Sequence, residues 1–422
     1  LSDGDKKIFN LKRTGCGFPY SFPIIQDYFG SCDNPAYYFR WKPVLESFSY
    51  NDSKTIVVEG GVGDFSWSLY PEDSVFSLDN ATTSERTNTV RTDFSADIGD
   101  SVVVTVEDSC GNSVSGILKV CSCISDADKG YVQQEDFLGV ARSAAVAASV
   151  ETSIYVGLGG GPAEYLKDWW QYNLVTDGWT QKADFGGGIR YGALAVACGT
   201  KIYAGFGSDH AHSRYGDWWK YDTETDIWTQ KASTIARTNL VGATYGTKIY
   251  VGMGGEGTAI SDWWEYDTET DTWTQKAIFD DGLGRQRSGA VCARLGAYIY
   301  VGLGHTIYAG YQYLKDWWRY DPGNDTWLQR ANCVIDSGLY VAIAVALNEK
   351  IYIGTGMTDG GDQSSSKDWM RSYDPDTNTW AEEDAFSGGP RNSAVAASAG
   401  GAIFMGTGYY TSRLNDWWRY IA

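Results

Sequence analysis

The chain has 422 residues with 43% apolar content, enough to bury sizeable cores in two or three domains and too apolar for a disordered polymer. Its 53 acidic and 34 basic residues leave a formal charge of −19, which argues against nucleic acid or an anionic membrane as partner, because phosphate binding needs a cationic patch. No apolar run approaches the length of a membrane span.

In chain order, residues 1–45 come first, an arm with prolines but no sustained period. Phe18, Tyr20, Phe22, Tyr28, Phe29, Tyr37, Tyr38, Phe39 and Trp41 crowd into it. Aromatic side chains gain far more from burial than from exposure, so these residues pack either on the chain's own domains or, as an assembly arm, on a neighbouring molecule. Leu1 in place of an initiator methionine reads as a processed N-terminus of a secreted or surface protein. Five of the eight cysteines, Cys16, Cys32, Cys110, Cys121 and Cys123, lie in the first 123 residues and are disulfide candidates, with Cys16–Cys32 the preferred pair. Cys198, Cys292 and Cys333 read as buried free thiols.

Residues 46–123 alternate in the manner of short strands, as in Thr55-Ile56-Val57-Val58-Glu59, Phe65-Ser66-Trp67-Ser68-Leu69-Tyr70 and Val102-Val103-Val104-Thr105-Val106-Glu107-Asp108, the last followed by a turn at Cys110-Gly111-Asn112. This pattern predicts a β-sandwich, and the late hairpin resembles that of bacterial immunoglobulin-like surface repeats. Residues 124–129 form a polar linker.

From residue 130 onward one unit repeats. An Asp-Trp-Trp frame begins at Asp168, Asp217, Asp262, Asp316, Asp368 and Asp416, roughly 50 residues apart. Each copy follows a β-branched stretch ending in Gly-x-Gly, such as Gly157-Leu158-Gly159. Each of the first five precedes a Tyr and, seven residues on, a Trp, such as Tyr172 and Trp179. Four strands per unit result, the last two joined by a hairpin rich in Asp, Asn, Thr, Pro and Gly. The fifth frame, Asp368-Trp369-Met370-Arg371-Ser372-Tyr373, is one residue longer and predicts a bulge. The sixth unit stops at Ala422 without a fourth strand. Residues 131–137 match 179–185, so they are expected to supply the missing outer strand and close the circle, removing an open sheet edge.

Six registered copies over residues 130–422 resemble the kelch arrays of secreted and surface bacterial proteins. The resemblance implies an all-β fold with a six-bladed β-propeller closed by an N-terminal strand. Gly-x-Gly here stands where the kelch double glycine would be.

Arg142, Arg190, Arg237, Arg287 and Arg391 each stand 15 residues before the first glycine of their unit, and Leu339 takes that place in the fifth. They are expected either to bind an acidic ligand on one face or to pair with the Asp that opens each third strand. The double tryptophans read as core, though exposed ones could stack on sugar rings. His210, His212 and His305 fall in loops between second and third strands, with His305 two units from the others, so neither they nor any other set marks a metal site. Asp-rich turns such as Asp267-Thr268-Glu269-Thr270-Asp271 lack the spacing of sialidase Asp boxes. No Ser-His-Asp set, phosphate loop or carboxylate pair is present at catalytic spacing, and no cofactor is called for. The expectation is a non-catalytic extracellular or surface protein working through protein–protein contacts with copies of itself or other surface proteins, as a self-assembling subunit. The alternatives are a glycan-binding protein using loop aromatics such as Tyr308, Tyr311 and Tyr409, and then a propeller enzyme.

Overall fold

A computed structural model describes residues 130–422 except 256–259, 284–285, 307–311 and 359–362. Before residue 130 it describes only the backbone of short strands. The chain divides into two units, Leu1–Lys129 and Gly130–Ala422.

In the first unit, Ser101–Asp108 and Ser113–Val120 form the predicted antiparallel hairpin. They sit inside a five-stranded sheet with Ser47–Phe48, Phe65–Tyr70 and Thr82–Thr83. A four-stranded sheet holds Asn10–Lys12, Ser53–Val57, Thr87–Thr92 and Phe76–Leu78. The five candidate disulfide cysteines lie outside the described residues. So do the arm aromatics, of which only Phe39 contributes backbone to a described strand, Phe39–Arg40.

The second unit is a six-bladed β-propeller of four-stranded antiparallel sheets. Blade one runs Val146–Val150, Ser153–Gly157, Trp169–Asn173 and Gly178–Lys182 from axis to edge. Blades two to five repeat it, with inner strands Leu194–Cys198, Val241–Tyr245, Val291–Leu295 and Ile343–Leu347. Blade six has Val395–Ala399, Ala402–Gly406 and Trp417–Ile421, and its outer strand is Gly130–Gln133. Tyr131 lies opposite Tyr420, with ring centroids 4.6 Å apart, so the two ends of the propeller share one sheet.

The Gly-x-Gly signature has a steric cause. The first glycine lies under the ring of the first tryptophan of the next strand, or under Met370 in blade five, and the second, such as Gly159 at φ +90, sits where a Cβ would come 2.6 Å from the Ser143 carbonyl oxygen. The residue between them is left-handed in every blade, from Leu158 to Thr407.

Blades are fastened to each other by the tryptophan and the aspartate of the outer hairpin, with Asn378 in place of the aspartate in blade five. The Trp228 indole N–H donates to the Ala183 carbonyl at 3.0 Å while Asp226 accepts the Ala183 N–H at 2.9 Å, so one residue of the preceding blade is gripped on both sides. Trp179 and Asp177 grip Glu135 in the same way, and Tyr131 reaches the Asp384 carbonyl, carrying the pattern through the closing blade. Such bonds satisfy backbone groups that the sheets leave unpaired.

The tryptophan pair divides its work. Trp169 is fully buried and packs edge-on against Trp228 of blade two, whereas Trp170 is half-buried and donates its indole N–H to Asp168 at 2.7 Å. Tyr172 points the other way, onto Phe404 and Trp417 of blade six.

Two expectations need correction. Blade five has no bulge: Met370 pairs with Gly354 as Trp169 pairs with Gly157, and the Thr355 N–H donates to the Trp369 carbonyl as the Leu158 N–H does to that of Asp168. Its third-strand frame is therefore shifted by one residue, with Trp369 in the place of the motif aspartate. Cys198 and Cys292 are half-buried rather than buried: Cys292 faces the axial channel, whereas Cys198 packs between blades two and three and reaches the Gly246 carbonyl at 3.6 Å; Cys333 is buried, and burial pushes its thiol up to about 12.

Candidate functional site at the channel mouth

The inner strands present small residues to the axis, among them Ala147, Ala195, Ala344 and Ala396, and they leave a channel cavity of about 190 Å³ into which Cys292 also faces. Burial pushes the Cys292 thiol up, which keeps it protonated. At one end of the channel the residues just before the inner strands, Ala144, Asn239, Gly289, Val341 and Ser393, all adopt positive φ. Each donates its N–H to its counterpart one blade back, as Asn239 does to Gly192 at 2.9 Å and Ser393 to Val341 at 2.9 Å. This belt fixes the mouth.

Immediately outside the belt lie the buried arginines. Arg142 holds Asp168 through two parallel hydrogen bonds of 2.7 and 2.6 Å and also reaches the Leu158 carbonyl at 3.0 Å. Arg237–Asp262, Arg287–Asp316 and Arg391–Asp416 repeat the fork, while Arg190 meets Asp217 through one nitrogen at 2.7 Å. Phe137 lies 4.7 Å from the Arg142 guanidinium, and Phe279 and Phe386 lie under Arg287 and Arg391. Burial disfavours the charge on Asp168, but the hydrogen bonds and charge of Arg142 and the Trp170 N–H outweigh it and hold the carboxyl below its ordinary value. The five arginines are therefore occupied within the fold. Their guanidinium groups are not presented to a ligand, which corrects their placement on a binding face.

Next to the belt lies a set of positions that changes from blade to blade over this constant frame, some buried, such as Ser143 and Asn392, and some partly exposed, such as Tyr191 and Tyr340. Backbone bridges tie together Ser143, Gly160 and Tyr165 in blade one, and Tyr191, Ser208 and Arg214 in blade two. The same triplet is Ser288, His305 and Tyr313 in blade four, Tyr340, Met357 and Ser366 in blade five, and Asn392, Tyr409 and Arg413 in blade six. Sequence reading missed the first member of each triplet. The signal was available, since each follows the scaffold arginine or Leu339 directly and reads Ser in blades one and four, Tyr in blades two and five, Thr in blade three and Asn in blade six.

Two aromatic groups stand at this mouth. Tyr165 stacks on Tyr191 at 5.1 Å and on His210 at 4.0 Å, and its backbone N–H donates to His210 Nε2 at 2.7 Å. Tyr340 stacks on Tyr313 at 5.4 Å and meets His305 edge-on at 5.2 Å. Tyr191 and Tyr340 are counterparts three blades apart, so the groups lie on opposite sides of the axis. Tyr409 sits beside Arg413, and the Arg413 Nη2 also approaches Gly160 beside Tyr191. His212 is exposed on the blade-two loop. Burial lowers the pKa of His305, while a hydrogen bond involving Ser288 works in the opposite direction. The histidines do not converge, and among the described residues no group of three His, Cys, Asp or Glu could hold a metal ion. Tyr308 and Tyr311 lie outside the described residues.

The Asp-rich turns are also internally engaged. Asp267 accepts the N–H groups of Glu269 and Thr270 and pairs with Lys248, whose hydrogen bond and the turn N–H groups push its carboxyl down to about 2. No helix among the described residues is long and apolar enough to cross a membrane.

No family model matches the chain, and no curated protein matches it. Among solved structures it is similar in fold to the structure of YjhT, with 15% identity and a TM-score of 0.58 over 67% of this chain and 95% of that one. At this identity the likeness carries the propeller fold and nothing more about chemistry.

Proposed function

We propose that this chain is a non-catalytic extracellular or cell-surface protein that acts through protein–protein contacts at the channel mouth of a kelch-type propeller, as a subunit that assembles with copies of itself or other surface proteins. The supporting observation is the contrast inside the repeat: Arg, Asp, Trp and Gly recur to hold the frame, while the mouth triplets diversify into Tyr, His, Arg, Asn and Ser. Tyrosine and arginine are the side chains that anchor protein interfaces. In the N-terminal unit, two sheets of five and four strands support an immunoglobulin-like module.

Light scattering and negative-stain microscopy of the intact chain test this reading. Assemblies, or capture of a surface partner, that disappear with Tyr191→Ala and Tyr340→Ala support it; a strict monomer whose partner capture ignores both changes sinks it. Glycan binding is the second reading, favoured by the two aromatic groups across the axis. Both faces of Tyr165 are already taken by Tyr191 and His210, which leaves less ring surface for a sugar and ranks that reading second.

A further inference from the structure

Each propeller blade is joined to the next by a loop that crosses from the outer strand to the next inner strand. These crossing loops hold six of the ten exposed large apolar residues among those described: Leu138, Val140, Ile235, Ile278, Leu283 and Val334. Isolated exposed aliphatics are ordinary, but recurrence in the same loop of four blades is a pattern. Leu138 is 59% exposed, Leu283 60% and Val334 68%, so none is a core residue that happens to reach the surface. Carboxylates lie between them. Glu135 and Asp136 precede Leu138, Asp280 stands between Ile278 and Leu283, Asp336 follows Val334 by two, and Asp384 occupies the blade-six loop. All five are exposed, and no described residue of these loops is an exposed lysine or arginine. The nearby Lys315 spends its ammonium on the Ile335 and Asp336 carbonyls.

We propose that the arc of crossing loops from blade four through blade one is a docking surface for a polypeptide segment that interleaves aliphatic or aromatic side chains with lysine or arginine. Aliphatic side chains standing in water next to carboxylates favour a partner that covers the first and neutralises the second, and such a segment does both. The scaffold beneath is rigid, because Phe137, Phe279 and Phe386 lock these loops against the buried arginines. These aliphatics and carboxylates are distinct from the mouth triplets, whose first members, such as Tyr340, come later in the same loops, and their docking role is independent of the function proposed above.

The test uses the full chain and three labelled peptides read by fluorescence anisotropy: alternating Leu and Lys, alternating Leu and Glu, and alternating Ser and Lys. The Leu-Lys peptide is expected to bind at least tenfold more tightly than either of the others. The combined change Leu138→Ser, Ile278→Ser and Val334→Ser should weaken it at least tenfold without moving the melting temperature, since all three side chains are exposed. Asp336→Asn with Asp384→Asn should weaken it and flatten its salt dependence. Equal binding of the Ser-Lys peptide, no binding of the Leu-Lys peptide, or indifference to the serine changes overturns the proposal. Loss confined to Tyr191→Ala would move the peptide to the mouth and overturn it as well.

Discussion

Leu339 stands where five blades place a buried arginine, and Trp369 stands where they place the aspartate that pairs with it. The partner under the guanidinium changes too, from Phe137 and its equivalents to Cys333, and Leu339, Cys333 and Trp369 pack into one apolar cluster. Blade five thus replaces a whole ion pair by hydrocarbon, leaving no buried charge alone. Continuum reasoning expects such a wholesale exchange to be tolerated, and half an exchange to be costly.

Arg287→Leu alone should therefore destabilise the propeller by about 3–5 kcal/mol, since Asp316 is left buried without its cation. Adding Asp316→Leu should restore only part of that loss, because Asp281, 4.0 Å from the Arg287 guanidinium and with its side chain out of solvent, loses its cation as well. Urea unfolding of the two variants decides the matter, and a double variant no more stable than the single one would contradict the argument.

Stability should fall in acid through the paired carboxylates. Asp168 and Asp267 both have folded-state values held below 3.8, Asp267 at about 2. Their contribution is present in full above 3.8 and drains away as pH falls toward the folded value, because the unfolded chain takes up protons first. Urea midpoints measured at pH 5, 3.5 and 2.5 should decline, and Asp267→Asn should decline less steeply over the same range.

Val341 is a β-branched residue held at φ +48 in the belt around the mouth, a conformation that suits it poorly. Its counterpart in blade three is Asn239 at φ +52. Val341→Asn should stabilise the fold by about 1 kcal/mol, and a lowered thermal midpoint would show that Val341 packing outweighs the backbone strain.

Tyr131 closes the circle through its ring contacts with Tyr420 and Phe386 at 4.6 and 5.2 Å. Tyr131→Ala should cost about 3–5 kcal/mol, as large aromatic deletions from packed sites do. Amide exchange should then rise first in Gly130–Gln133 and Trp417–Ile421; uniform exchange across all six blades would mean that the seam is not the weak point.

The blade pattern was readable because its causes are local. Gly157 lies under a tryptophan and Asp222 caps a turn within a few residues of sequence, so each leaves a fixed spacing. The closing strand was readable from the match of 131–137 to 179–185. The positive-φ belt was not, since Ala144, Val341 and Ser393 are not residues that announce a left-handed backbone. Nor was the one-residue shift in blade five, where Asp368-Trp369 imitates the motif in sequence while the hydrogen bonds to Gly354 and Thr355 put Trp369 in the aspartate's place. The first members of the mouth triplets, such as Tyr191 and Tyr340, escaped notice because they are defined by variation between blades, whereas a search for repeats rewards sameness.

Gly130 pairs with Ile421, so the two ends of the propeller lie side by side at one blade. The other blades bridge that same gap with turns such as Thr223-Glu224-Thr225-Asp226. A linker of that size from Ala422 to Gly130 would make the propeller a covalent circle, and new termini could then be cut in any outer hairpin turn. The order in which the six blades are written along the gene is in this sense arbitrary, and a circularly permuted propeller opened at blade two or three should fold to the same disc.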